Sequence, residues 1–348
     1  MDYDTYLRRL PKAELHIHFE GSVRPTTFFE LAKKHGLRLP SDDPATFYAY
    51  DNLVDFLRIY DVVCRSIRDQ GDFARVAFET LEDAVRLGNL KYREMFFNPT
   101  THTREGIAYG TILAGILEGI EAAEKAYGVK CRLIPAIHRG HTKAEAREMV
   151  GAMLAARRDE ILGIGSDALP DDGTEGLQHF VDVYRFAAEK GLRTTVHCAE
   201  SRGTAPNFLY ALDVLGCRRI DHGYEVIRDD AMVKRARDEG IWFTCCPSAA
   251  VVALGWPDRA NQPIRRMIEL GLNVTLNSDD PPMFQTEIGN EFALTCAAMG
   301  FGPEKAAELA LNGIEGSWLD ESEKRSMRLE FEREIADLRS QLTQERTE

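Results

Sequence analysis

The sequence predicts an α/β fold of the (β/α)8 barrel class, and three observations support it. Eight short apolar or β-branched runs alternate with longer stretches whose apolar residues recur at helical spacing. Strands that alternate with helices favour a parallel sheet, and eight such strands can close into a barrel. Several runs also carry histidine or aspartate at or just beyond their ends, and barrels of this class carry their reactive groups at the carboxyl ends of strands. An open, doubly wound sheet is the alternative.

The predicted elements follow one another along the chain. The strand candidates are AELHIH, LKYREMFF, RLIPAI, ILGIGSDAL, LRTTVHC, RRIDHG, IWFTCC and LNVTLNS. Amphipathic patterns predict helices at Thr111 to Tyr127, Lys143 to Arg157, Leu177 to Lys190, Ala205 to Leu215, Asp230 to Glu239 and Gln262 to Leu270. Residues 47–88 predict extra helices inserted after the first strand as a lid, and residues 303–348 predict closing helices. We expect residues 1–348 to form a single barrel domain.

Composition limits the classes of partner. The 348 residues are 44% hydrophobic, which suffices for a large core. A net charge of −13 argues against a nucleic acid or an anionic membrane as partner, so a small molecule is expected. Seven cysteines without a CxxC pair indicate free thiols in a reducing compartment. The N-terminal segment lacks an apolar signal core, which predicts a cytoplasmic protein. The sequence is compatible with a homo-oligomer.

His16 and His18 flank Ile17 at the end of the first predicted strand. Successive side chains of a strand face opposite sides, so the two imidazoles point the same way. Other polar strand ends are HCAE at 197–200, IDHG at 220–223 and LNSDDPP at 276–282. One such histidine is more often a structural residue, but four polar strand ends on one face indicate a metal centre. Histidine nitrogens with one carboxylate suit zinc or a similar divalent ion, and an open position for water makes the site catalytic.

Glu200 follows His197 by three residues, just past the strand end, where a carboxylate can reach a substrate held beside the metal. To donate a proton it needs a raised pKa, which burial in a pocket poor in water supplies. His222 is either a fourth nitrogen near the metal or a group that orients the attacking hydroxide.

Five ordered motifs resemble the adenosine deaminase family of metal-dependent (β/α)8 hydrolases. They are LPKAELHIHFEGSVRP, HCAE, IDHGYEV, CCPSAAVVALG and LNSDDPPMF, and they span nearly the whole chain. The resemblance implies that water replaces the 6-amino group of a purine and ammonia is released, with adenosine or 2′-deoxyadenosine as the first expected substrate. It also implies one zinc ion per chain, with ligands corresponding to His16, His18, His197 and Asp279.

The same resemblance implies roles for the residues around the metal. Glu200 would protonate purine N1, while His222 and Asp279 hold the hydroxide that attacks C6, and Asp280 hydrogen-bonds N7. DNLVDFLRIYD resembles the helical gate over the family's pocket, although an apolar helix face packed on the barrel explains it equally well. The expected substrate contacts are His18, Glu20, Phe56, Asp167, Pro170, Ala199 and Asp280.

Three positions depart from adenosine deaminases proper. Glu20 stands where these enzymes usually carry an aspartate that meets the ribose 5′-hydroxyl, and the longer acid resembles adenine and aminodeoxyfutalosine deaminases. Pro170 falls about where a glycine N–H contacts purine N3, and proline has no N–H. Ala199 replaces the glycine of HAGE, whose backbone approaches N1. Adenine, aminodeoxyfutalosine and N6-substituted adenines therefore stay open as alternative substrates.

Two other classes of function compete with deamination. Related barrels that hydrolyse amides or phosphotriesters commonly bridge two metals with a carboxylated lysine, but the fourth predicted strand contains no lysine. A catalytically silent binding protein on the same fold predicts the loss of a ligand or of the acid. All of these residues are present, which favours a single metal and deamination.

Overall fold

Eight parallel strands form the centre of the protein in a computed structural model, which describes residues 1–39, 47–50, 53–170, 172–252 and 254–342. The strands are β1 Lys12–Glu14, β2 Leu90–Phe97, β3 Lys130–His138, β4 Gly163–Asp167, β5 Arg193–Cys198, β6 Arg219–His222, β7 Trp242–Cys245 and β8 Asn273–Leu276. Each strand pairs with the next along the chain. A parallel bridge between Ile17 and Asp279 brings the first and last strands together. The predicted (β/α)8 barrel is confirmed, and the open sheet is wrong.

Helices surround this barrel. They are Tyr3–Arg9, Pro25–Lys34, Leu53–Cys64, Gln70–Gly88, Pro99–Arg104, Tyr109–Tyr127, Lys143–Ala155, Val181–Glu189, Pro206–Asp213, Asp230–Asp238, Pro247–Val252, Pro263–Glu269, Ile288–Met299, Pro303–Glu315 and Glu321–Ser340. Residues 51–52 of the predicted lid segment and 343–348 of the predicted tail lie outside the described residues. None of the described helices combines the length and the apolar character needed to span a lipid bilayer.

The first strand differs from its prediction because its regular pairing ends at Glu14. The N–H of Leu15 donates to the side-chain oxygen of Asn277 at 2.8 Å, which takes the place of a bond to a neighbouring strand. The extended chain continues through isolated bridges at Ile17 and His18. His16 and His18 are therefore on the loop side of the barrel, where a metal centre is expected.

Lys12 opens β1 and is fully buried. Its Nζ donates to the backbone oxygens of Leu7 at 2.9 Å, Leu10 at 2.8 Å and Gly88 at 3.0 Å, with a further contact to Arg8 O at 2.9 Å. Most of these carbonyls terminate the helices Tyr3–Arg9 and Gln70–Gly88, where the helix dipole is negative. The ammonium group thus ties two helix ends to the first strand.

Lys12→Met is expected to destabilise the protein by about 3 kcal/mol or more, because it leaves a cluster of buried carbonyl oxygens without a donor. Urea unfolding followed by circular dichroism measures the change. Lys130→Met removes an exposed lysine and serves as the control, with an expected change within about 0.5 kcal/mol. A Lys12→Met protein as stable as the wild type would show that the ammonium group contributes nothing.

Candidate active site and metal centre

The carboxyl ends of β1, β5 and β8 bring three histidines and one aspartate together. Nε2 of His18 lies 3.2 Å from Nε2 of His197 and 3.3 Å from Oδ1 of Asp279. Nε2 of His16 lies 3.3 Å from the same aspartate oxygen. The ligand atoms of the three histidines lie within 4.8 Å of one another, and all four residues are buried. The four residues predicted as metal ligands therefore converge on one point.

The opposite ring nitrogen of each histidine faces a polar partner. The pairs are His16 Nδ1 with Thr244 Oγ1 at 2.9 Å, His18 Nδ1 with Asp167 Oδ2 at 3.3 Å, and His197 Nδ1 with Asp221 Oδ2 at 3.4 Å. Partners of this kind favour the proton on Nδ1 and leave the lone pair of Nε2 for a metal. Among the described residues, Nε2 of His16 has no hydrogen-bond partner although it is buried. A cation at the point of convergence would satisfy it.

The charges around this point favour a cation. Burial lowers the pKa of His18, but the neighbouring carboxylates, Asp280 foremost, raise this pKa well above its ordinary value. Burial raises the pKa of Asp279, yet His16 and His18 bring it well below its ordinary value. Burial and then His16 lower the pKa of His197 to about 4, so this imidazole is neutral at neutral pH. When a metal ion replaces the proton of His18, three imidazole lone pairs and an ionised carboxylate form the donor set that zinc takes, so these residues fit a divalent ion.

Glu200 lies beside the metal position, with Oε1 3.5 Å from Nε2 of His222. Burial, followed by the carboxylates of Asp279 and Glu175, raises the pKa of Glu200 to about 8. Glu200 therefore holds a proton at neutral pH, as a proton donor must. Nδ1 of His222 hydrogen-bonds the Tyr224 hydroxyl at 3.1 Å, and burial lowers the pKa of His222 well below its ordinary value. The site thus pairs a protonated acid with a neutral imidazole.

The backbone is left-handed where strands β4, β5, β6 and β8 give way to loops. The residues are Ala168, Ala199, His222 and Asp279, with φ of 56°, 51°, 69° and 63°. A residue with a Cβ costs about 1–3 kcal/mol in such a conformation, so it persists only where the surroundings hold it. Four such residues at one end of one barrel mark this end as the functional one.

Gly21 allows Asp280 to approach the loop that follows His18. A Cβ at position 21 would lie 1.6 Å from Oδ1 of Asp280, so a side chain does not fit there. Asp280 is buried, and its Oδ1 has no hydrogen-bond partner among the described residues. Burial and the adjacent Asp279 carboxylate raise the pKa of Asp280 well above its ordinary value. A protonated Asp280 can donate a hydrogen bond to an acceptor on a bound ligand.

A cavity of about 550 Å³ opens onto this site. Its walls include His18, Phe56, Leu57, Tyr60, Asp167, Pro170, His197, Glu200, His222, Asp279, Asp280 and Phe284. We call the helix Leu53–Cys64 the lid helix, because Phe56, Leu57 and Tyr60 bring it over the cavity. Phe56 stacks on Phe284 with ring centres 5.0 Å apart. The volume is typical of a small-molecule site.

The predicted substrate contacts occupy different places. His18, Phe56, Asp167, Pro170 and Asp280 line the cavity, and the Asn98 amide also donates to Asp167 at 2.7 Å. Ala199 and Glu20 are fully buried, and neither belongs to the described residues that line the cavity. The side chain of Leu53, in the segment predicted as a gate, lies outside the described part of the chain.

Two buried residues that the sequence motifs do not identify hydrogen-bond the backbone at the end of β5. Glu175 accepts from the backbone N–H groups of Ala199 at 3.0 Å and Glu200 at 3.1 Å, so it holds the strained turn at the end of β5. Arg139 donates from Nη1 to the backbone oxygen of His197 at 2.7 Å. Arg139 directly follows β3, so its sequence signal is that of a polar residue at a strand end. Glu175 lies in a loop rich in acids, DDGTEG, and has no such signal.

Glu175→Gln is expected to shift the basic limb of the pH profile of kcat/KM to lower pH. The negative charge of Glu175 raises the pKa of Glu200, and an amide of the same shape removes that charge. The predicted role of Glu200 as an acid requires its proton, and a lower pKa means that this proton is lost at lower pH. A pH series of initial rates measures the shift. Glu225→Gln is the matched control, since Glu225 is also buried and accepts from a backbone N–H, that of Gly203. An unmoved limb in Glu175→Gln would contradict this role.

The chain is similar to known proteins over nearly its whole length. Residues 11–333 match the family model for adenosine deaminase. This chain belongs to the adenosine deaminase family. The matched range holds His16, His18, His197, Asp279 and Glu200, so the family predicted from the motifs is confirmed.

Similar members of the adenosine deaminase family include two adenine deaminases. The one from Caulobacter vibrioides is 34% identical over 322 residues, which is 92% of each chain. The solved structure of the one from Arthrobacter aurescens is 31% identical with a TM-score of 0.87, and the match covers 94% of this chain and 98% of that one. An amidohydrolase from Burkholderia ambifaria with bound zinc is 33% identical with a TM-score of 0.90, covering 97% and 94%.

Membership of the adenosine deaminase family makes the chain a metal-dependent purine aminohydrolase, as predicted. The reaction class is hydrolytic deamination of aminopurines. Within this class, the sequence motifs favour adenosine as substrate and leave adenine as an alternative. The adenine deaminases among the similar proteins favour the alternative.

Proposed function

We propose that this protein is a zinc-dependent adenine deaminase with one zinc ion per chain, and that it converts adenine and water into hypoxanthine and ammonia. The observation that carries the proposal is the convergence of His16, His18, His197 and Asp279 beside a protonated Glu200 at the edge of one cavity. Zinc is supported by this donor set and by the related zinc-bound amidohydrolase. Adenine is supported by the adenine deaminases that resemble the chain over nearly its whole length.

Each residue around the cavity has a separate role in the proposed reaction. His16, His18, His197 and Asp279 would hold a divalent ion, which when bound would supply hydroxide near neutral pH by lowering the pKa of water from about 15.7 to about 7. Glu200 gives its proton to ring N1, which makes C6 electrophilic, while His222 and Asp279 orient the attacking oxygen by hydrogen bonds. Protonated Asp280 donates to N7 and aligns the ring. The C6–O bond forms, the proton of the new hydroxyl passes to the amino nitrogen, the bond from C6 to that nitrogen breaks, and ammonia leaves. The proton that water loses in forming hydroxide returns Glu200 to its protonated state.

The test is ammonia release by purified, zinc-loaded protein. The substrates compared by kcat/KM are adenine, adenosine, 2′-deoxyadenosine, aminodeoxyfutalosine and N6-substituted adenines. We expect the highest value for adenine. A higher kcat/KM for another of these purines would show that adenine is not the preferred substrate, although the reaction would still be deamination. No ammonia release from any of them would reject the proposed function. Elemental analysis of the active protein decides between zinc and another metal.

A further inference from the structure

The carboxylate of Glu20 connects two parts of the protein. It lies two residues beyond His18 and is fully buried. Oε1 accepts from the backbone N–H of Asn98 at 2.9 Å and lies 3.1 Å from Nε2 of His102. Oε2 accepts from the hydroxyl of Tyr60 at 3.3 Å. Asn98 and His102 follow β2 in the barrel, whereas Tyr60 belongs to the lid helix, so this carboxylate joins the lid helix to the barrel.

The length of the Glu20 side chain makes this connection. Both carboxylate oxygens are engaged, one on the barrel side and one on the lid side. An aspartate is shorter by one methylene, and from the same backbone position it cannot keep both sets of contacts. Glutamate at this position therefore has a structural role that aspartate cannot fill, and it needs no contact with substrate.

Tyr60 faces the cavity beside the metal position. Its ring centre lies 6.5 Å from that of His18 and 6.0 Å from that of Phe56. Tyr60 and Phe56 are four residues apart, so they share one face of the lid helix. Phe56 packs on the barrel by stacking on Phe284, a contact that tolerates sliding, whereas the hydroxyl of Tyr60 is held at one point by Glu20. The hydrogen bond thus decides where the phenol ring lies.

Glu20 is next to Gly21 in the chain, which brings its contact with Tyr60 near Asp280. Gly21 packs against Asp280, which donates to N7 in the proposed function. N7 and N9 belong to the same five-membered ring of the purine, and N9 carries the ribosyl group of adenosine. The Glu20–Tyr60 contact is therefore near the residue proposed to bind the five-membered ring, the ring that carries the ribosyl substituent in adenosine.

We propose that Glu20 is a positioning residue that holds Tyr60, and that Tyr60 is the specificity-determining residue that favours adenine over its N9-ribosyl derivative. The inference rests on the proposed function. When Tyr60 is held, the lid helix stays close to the barrel, and the free base fits beside the metal position. A ribosyl group has to displace the phenol ring and the helix that carries it.

Tyr60→Phe tests this proposal because it removes only the hydroxyl. We expect faster hydrogen exchange of the backbone amides in residues 53–64. We also expect KM for adenine to rise with little change in kcat, and the ratio of kcat/KM for adenosine over adenine to rise roughly tenfold, the factor typical of one lost hydrogen bond to a charged group. Glu20→Asp should give the same changes, and adding it to Tyr60→Phe should add little further change.

Tyr48→Phe is the matched control, since the Tyr48 hydroxyl donates to the backbone oxygen of Val23 at 2.8 Å and lies outside the lid helix. It should leave both the exchange of residues 53–64 and the substrate ratio unchanged. If the amides of residues 53–64 exchange at the wild-type rate in Tyr60→Phe, Glu20 does not position Tyr60. If the adenosine-to-adenine ratio of kcat/KM is unchanged, Tyr60 does not determine specificity. If the wild type does not deaminate adenine, the proposed function fails, and the exchange measurement alone decides whether Glu20 holds the lid helix.

Discussion

Glu200→Gln is expected to lower kcat by about 10²–10⁴-fold, the usual contribution of a positioned acid or base. The amide keeps the shape of the side chain but has no proton to give to ring N1. The metal content is expected to stay at the wild-type level, because Glu200 is not one of the converging ligands. Steady-state ammonia release at saturating adenine and elemental analysis of the same preparation measure the two quantities.

Glu148→Gln, which changes an exposed glutamate on the helix Lys143–Ala155, is the control and should turn over adenine like the wild type. A Glu200→Gln enzyme with nearly normal kcat would remove Glu200 from the mechanism.

The wild-type enzyme should also lose activity as the pH rises. Burial and the Asp279 and Glu175 carboxylates raise the pKa of Glu200 to about 8, a bound cation lowers it from there, and above the resulting pKa the acid has lost its proton.

His18→Ala is expected to remove most of the bound metal and nearly all turnover. Nε2 of His18 lies between His197 and Asp279, so the substitution removes one of the four donors. It also leaves the buried Asp167 carboxylate facing an empty space. We expect metal affinity to fall by more than the roughly 10–100-fold seen when only a residue behind a ligand is lost. Metal content after dialysis measures this, with ammonia release before and after zinc is added.

The control for this variant is His179→Ala, since His179 is exposed on the surface and is not one of the converging ligands. It should keep a full complement of metal. Full zinc occupancy in His18→Ala would show that His18 is not a ligand. Loss of activity without loss of metal would instead place His18 among the substrate contacts.

The convergence of the ligands was predictable because it depends on two local rules. Side chains alternate along a strand, so His16 and His18 share a face, and the carboxyl ends of barrel strands meet at one end of the sheet. Glu200, His222, Asp279 and Asp280 follow from the same rules. No long-range contact has to be known in order to apply them.

The two local rules do not predict which atoms the side chains at the strand ends contact. Asp167 was expected to touch the substrate, and it lines the cavity, but it also faces Nδ1 of His18 and accepts from Asn98, a residue 69 positions away. Glu175 holds the turn at Ala199 from a loop that looks like any acidic surface segment. Such contacts depend on how loops that are distant in sequence pack together. The residues next to each contact in the sequence do not indicate this packing.

The sequence by itself determined the barrel, the family and the set of chemical groups at the strand ends. Hydrophobic periodicity and strand alternation are properties of neighbouring residues, and the five motifs are contiguous. Only the tertiary structure decided what Glu20 does. Its carboxylate contacts Tyr60, Asn98 and His102, which are 40, 78 and 82 positions away, and these partners leave the side chain buried outside the cavity. The physical reason is that a buried carboxylate must find donors, and only the folded chain determines which donors lie within reach.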